Sequence, residues 1–189
     1  MNSKRVENNR QQALLHSLIR HCRKDVCLDV IKNLLDMQSL LPNTAMSDLG
    51  PGPLDELDEH RYTPLMVASQ VLDYDVMEAL IAADVSVNET DTFGYNALFH
   101  AAIIITKANH AQVTGVKPTS DAMPRVCQIL VTDGGLNVDA IDSDGMTVLQ
   151  VCAYDKNVPI ESITALIATG ANINFQSESI SDMNRGKTA

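Results

Sequence analysis

Three stretches decide how this chain folds: "HRYTPLMVASQ" (60–70), "FGYNALFHAAI" (93–103) and "DGMTVLQVCAY" (144–154). Each opens a run with a hydroxyl or amide residue: Thr63, Asn96 and Thr147. Two positions later comes a leucine (Leu65, Leu98, Leu149), and three further on a small residue (Ala68, Ala101, Cys152). The polar residue suits a helix N-cap, because its side chain accepts a bond from an otherwise orphaned N–H of the first turn. Pro64 follows Thr63 at the first helical position, where a missing N–H costs nothing. The small residue leaves room for a second helix to approach closely.

A second helical run follows each start: "DVMEALIAADVSVN" (75–88), "RVCQILVTDGGLNVD" (125–139) and "SITALIATGANIN" (162–174). Apolar residues recur there at helical spacing: Met77, Leu80, Ile81; Cys127, Leu130, Val131; Ile163, Leu166, Ile167. Gly134 and Gly170 stand where a helix ends on a left-handed residue. Each run closes on Val87-Asn88, Val138-Asp139 or Ile173-Asn174. Arg61 to Gly94 is 33 positions, Gly94 to Gly145 is 51 and Gly145 to Gly186 is 41.

This pattern resembles the ankyrin repeat, a unit of about 33 residues with two antiparallel helices and a finger leading to the next unit. The nearest matches to the family's opening motif are Thr63-Pro64-Leu65-Met66-Val67-Ala68 and Asn96-Ala97-Leu98-Phe99-His100-Ala101. The resemblance implies an all-α solenoid of stacked helix-turn-helix units with β-hairpin finger loops. Residues 1–10 form a disordered, basic N-terminus, and 11–189 form a single domain. Within it, 11–41 is a divergent capping repeat and 42–57 a Pro- and Gly-rich loop. Repeats follow at 58–90, at 91–141 with an insertion at 106–123, and at 142–174. Pro124 restarts the helix after the insertion. Residues 175–189 are an enlarged finger and the start of a truncated further repeat, which makes the chain the N-terminal piece of a longer protein.

The ending "NRGKTA" (184–189) also looks like the tail of a phosphate-binding loop. That motif needs a glycine five positions before Gly186, where Ser181 stands, and a buried strand upstream, where the chain is polar. Gly186-Lys187-Thr188-Ala189 instead aligns with Gly94-Tyr95-Asn96-Ala97.

Composition narrows function further. The chain of 189 residues is 45% hydrophobic and 4% aromatic, without Trp, which suits an aliphatic helical core. Residues 1–32 hold seven Lys/Arg against three acids, and 33–189 hold seven against 21. An acidic body disfavours nucleic-acid backbones and favours basic or neutral partners. No apolar run reaches the ~20 residues of a membrane span. With no apolar leader, Cys22, Cys27, Cys127 and Cys152 read as free thiols of an intracellular, cytoplasmic or nuclear protein. His16, His21, Cys22 and Cys27 match no metal-ligand spacing. Cys152 sits at the small core position of its helix rather than at a nucleophile's, and His100 needs no special role. No catalytic residue, metal or other cofactor is expected.

The resemblance then implies a protein–protein interaction module. Its partner, a protein or peptide carrying Lys or Arg, docks on the concave surface of fingers and first helices. Carried over by position, that surface holds Asp58, Glu59, His60 and Tyr62; Asp91, Thr92, Phe93 and Tyr95; and Asp142, Ser143, Asp144 and Met146. Phe93 and Tyr95 are either anchors for the partner or braces between fingers. The alternative functions are the recognition or regulatory region of a larger enzyme, channel or ubiquitin-ligase adaptor, and a substrate of asparaginyl hydroxylation at Asn88.

Overall fold

In a computed structural model the chain is described over residues 15–21, 24–39, 54–107, 119–156 and 158–176. The described residues are helical and contain no β-strand. Helix α1 covers 15–21. It is followed by α2 (Lys24–Ser39), α3 (Pro64–Val71), α4 (Tyr74–Ala82), α5 (Ala97–Lys107), α6 (Ala122–Cys127), α7 (Val148–Tyr154) and α8 (Ile160–Ala168). A π-helical segment, Gln128–Asp133, continues α6.

The starts of α3, α5 and α7 form for the expected reason. Thr63 and Thr147 cap α3 and α7, accepting bonds from Met66 N at 3.2 Å and Gln150 N at 3.3 Å. Asn96 Oδ1 accepts from Leu98 N and Phe99 N at 3.0 and 3.1 Å. Each cap satisfies donors that would otherwise be buried without a partner. Pro64 occupies the first position of α3.

Two rows of helices result. α3 packs on α5 and α5 on α7, while α2 packs on α4, α4 on the π segment and α6 on α8. The small residues Ala68, Ala101 and Cys152 are fully buried, as are Leu65 and Leu98. α3 and α4 are separated by Leu72, held at φ 53° as a left-handed cap, and by Asp73, which caps α4 through Val76 N.

The structure departs from the sequence expectations in four places. The left-handed residue after α6 is Gly135 (φ 69°), matching Gly170 (φ 98°), whereas Gly134 is at φ −88°. Gly134 is needed for space instead: a Cβ there would lie 2.8 Å from Ile81 Cδ1 and 2.8 Å from Leu130 O. The i→i+5 bonds of the π segment carry one residue more from Leu130 to Val138 than α4 carries from Leu80 to Val87.

Second, α5 continues to Lys107 with Ile105 and Thr106 buried, so the chain leaves the helix later than residue 106. The next helix begins at Ala122, with Pro124 inside its first turn rather than at its start. Residues 108–118 of the expected insertion lie outside the described residues.

Third, the end of the expected 42–57 loop belongs to the core. Leu54 is buried, and Asp55 Oδ1 accepts from Ser86 N at 2.7 Å. Fourth, the expected β-hairpins are turns; one isolated antiparallel bridge, Ile141 to Thr147, is present among the described residues. The expected basic N-terminus at 1–10, Cys22, and the terminal "NRGKTA" all lie outside the described residues.

Candidate functional site

The twelve residues expected on the partner surface fall in three consecutive turns, 58–63, 91–96 and 142–147, each ending on the N-cap of α3, α5 or α7. All three begin with an aspartate five positions before the cap: Asp58, Asp91 and Asp142. In each, the aspartate carbonyl accepts from the residue three later (Arg61, Gly94, Gly145), at 3.0, 3.1 and 3.0 Å. That residue is left-handed every time, at φ 63°, 76° and 76°. Each is thus a tight turn closed on a left-handed residue.

One backbone bond and the aspartate carboxylate together close each turn. An antiparallel pair normally exchanges two backbone bonds. Here one survives in each turn: Asp58 N to Tyr62 O, Asp91 N to Tyr95 O and Asp142 N to Met146 O, at 3.0, 3.1 and 3.0 Å. The reciprocal N–H is taken by the carboxylate. Asp58 Oδ1 accepts from His60 N and Tyr62 N, both at 2.9 Å. Asp91 Oδ1 accepts from Phe93 N and Tyr95 N at 2.8 and 3.0 Å. Asp142 Oδ1 accepts from Asp144 N and Met146 N, both at 2.9 Å.

This reassigns part of the expected surface. Asp91 and Asp142 are buried and face inward, so they organise the turns and offer no carboxylate to a partner. Asp58 is half-buried and makes an ion pair with Arg20 of α1 at 3.5 Å. The exposed members are Glu59, His60, Thr92, Phe93, Ser143 and Asp144. Tyr62, Tyr95 and Met146 are half-buried. Phe93 keeps 58% of its surface in water, although its ring lies 6.0 Å from that of Tyr95. Tyr95 in turn stacks on Phe99 at 5.2 Å, and its hydroxyl pKa is pushed up by burial and then by Asp142, Asp144 and Asp91. Tyr95 is therefore a brace and Phe93 a displayed ring.

A second set of bonds ties the loops that follow α4, the π segment and α8. Asp55 Oδ1 accepts from Ser86 N, Asn88 Oδ1 from Asn137 N at 2.9 Å, and Asp139 Oδ1 from Asn172 N at 2.8 Å. Asn88, the residue singled out for hydroxylation, is thus exposed but holds the next loop through its side-chain carbonyl.

His16 and His100 acquire roles the sequence did not reveal. His16, buried on α1, donates through Nε2 to Tyr62 O at 2.8 Å and so fastens the first turn. His100, on α5, is buried beneath the second turn with its Nε2 3.2 Å from Asp91 Oδ2. Its signal was legible only as an anomaly of pattern, since the corresponding positions in α3 and α7 are Val67 and Val151.

Cys127 and Cys152 are core residues; burial pushes their thiols up to about 11 and about 12. Such thiols stay protonated and are poor nucleophiles at neutral pH. Among the described residues no group of three or more His, Cys, Asp or Glu side chains converges on one point. No described helix is long and apolar enough to cross a membrane.

The site therefore offers rigid turns, a displayed aromatic ring and scattered carboxylates. No family model and no curated protein matches this sequence.

Proposed function

We propose that the chain is a divergent ankyrin-type solenoid whose turn face binds a protein or peptide partner bearing Lys or Arg. The observation that supports this most directly is the succession of three aspartate-anchored turns that leave Glu59, Phe93 and Asp144 exposed. Backbone groups locked by side-chain bonds lose little entropy on binding, so the displayed groups contribute more of their contact energy to affinity. An exposed ring of this size serves as a natural anchor, and Glu59 and Asp144 steer a basic partner during encounter.

The test is selection from a random peptide display library, followed by affinity measurement on two variants. Peptides enriched in Lys and Arg are expected. Phe93→Ala is expected to raise Kd about tenfold, chiefly through faster dissociation, and to cost less than about 0.5 kcal/mol of fold stability because the ring is mostly solvated. The double reversal Glu59→Lys with Asp144→Lys is expected to slow association and flatten its salt dependence. Selected peptides without basic bias, or affinity indifferent to both variants, would remove the turn face from consideration.

A further inference from the structure

The second turn differs from its neighbours in what lies under it. Asp91 Oδ1 is committed to Phe93 N and Tyr95 N. Asp91 Oδ2 is fully enclosed, and the polar atom facing it is His100 Nε2, at 3.2 Å but outside hydrogen-bond geometry. The other ring nitrogen, Nδ1, accepts from the Gln70 amide Nε2 of α3 at 3.2 Å. With Nδ1 occupied as an acceptor, the neutral imidazole carries its proton on Nε2, the ring nitrogen nearer the carboxylate. The ring is boxed edge-on by Tyr62 at 5.0 Å and Tyr95 at 6.0 Å.

From this the geometry points to an acid-responsive latch: His100, neutral and closed on Asp91, holds the turn that displays Phe93, and protonation of His100 releases it. This regulation rests on the turn face being the docking face, but the latch itself is readable without any partner.

The charged form is disfavoured from two directions. A second proton on Nδ1 would face the Gln70 NH2, donor against donor, and the buried imidazolium would lose its hydration. Asp91 works against this loss, and Arg20 on α1 adds to it. Burial outweighs the Asp91 attraction and lowers the His100 pKa from its ordinary value. The other surrounding groups do not reverse the balance. α3 carries no ionisable side chain, and Tyr62 and Tyr95 face His100 edge-on. His16 is engaged with Tyr62 O. Arg125 of α6 is drawn to Asp75, Glu78 and the Tyr74 ring. α7 brings Cys152, a buried thiol, and Tyr154, which is exposed.

The sign follows from linkage. A histidine whose folded pKa lies below its unfolded value binds more protons when released. Its stabilising contribution is complete above the ordinary histidine range, near 6.5, and declines as pH falls through that range toward the lower folded value. Acid should thus open the second turn and leave the third closed, because Asp142 has the same two backbone bonds while Val151 replaces the histidine.

The experiment is amide exchange on the 189-residue chain between pH 7.5 and 5, expressed as protection relative to the unfolded chain at each pH. Protection at Phe93 and Tyr95 is expected to fall severalfold relative to Asp144 and Met146 across that interval. In His100→Gln the pH dependence of that ratio should vanish. A ratio that does not move with pH, or that moves equally in His100→Gln, overturns the latch. A wild-type NMR titration of the His100 ring, which does not depend on the variant folding, must give a pKa below the ordinary value; one at or above it also overturns the proposal. Loss of peptide binding with an intact pH response would instead count against the docking face alone.

Discussion

The first and second turns have the same internal bonds, yet they meet their following turns differently. Between the second and third, Ser143 N donates to Phe93 O at 2.9 Å. Gly94 makes that approach possible: a Cβ there would stand 2.8 Å from Ser143 N and 3.0 Å from Asp142 Cα. The first turn has Arg61 at the position of Gly94, at φ 63°. Among the described residues no backbone bond joins the first turn to the second. Their junction is made by side chains instead. Tyr62 lies edge-on to His100, the Arg20 guanidinium sits 5.8 Å over the Tyr62 ring, and His60 lies 5.9 Å from Tyr62. The backbone junction thus goes with glycine at this position, and the junction of rings with arginine.

The comparison is most exposed to a change at Gly94. Gly94→Ala combines a left-handed residue with a steric clash against the third turn, so it should destabilise the fold by about 3 kcal/mol. Urea unfolding measures this directly. A loss below about 1 kcal/mol would mean that the two turns are not held in contact.

Smaller losses are expected from the anchoring aspartates, and their order is informative. Asp91→Ala or Asp142→Ala leaves two part-buried N–H groups of the turn without the buried carboxylate that accepts from them, at a cost of about 2 kcal/mol. Asp58→Ala should cost about 1 kcal/mol, because water reaches the half-exposed first turn. Equal losses at all three positions would contradict the difference in burial between the first turn and the other two.

The smallest effect should be a gain. Arg61→Gly removes the penalty of a left-handed arginine but loosens the unfolded chain, for a net stabilisation of about 0.5 kcal/mol. If Arg61→Gly destabilises instead, the arginine side chain contributes a contact that outweighs its backbone strain.

Much of the helical framework was legible in the sequence for a local reason. Thr63, Asn96 and Thr147 are caps because a side-chain oxygen next to a free N–H acts within one turn of chain. Leu65, Leu98, Ala68, Ala101 and Cys152 read as buried because their spacing fixes which face of the helix they share. Turns stand where fingers were expected, but the role of their aspartates was not visible. An acid in a polar loop reads equally well as a solvated charge, a steering group or a turn organiser.

By itself, then, the sequence determined where α3, α5 and α7 begin and which of their residues face inward, since capping and periodicity are short-range properties of the chain. Only the tertiary structure decided that Asp91 and Asp142 turn inward, because their burial depends on two N–H groups brought together by a left-handed residue and on a neighbouring turn that covers them. It alone placed His100 beneath Asp91, across a junction with α3 and the first turn that no local spacing encodes. It also decided that the extra residue after Leu130 is absorbed as a π segment, with Gly134 fitted against Ile81, because the register of that helix is set by the helix it packs upon.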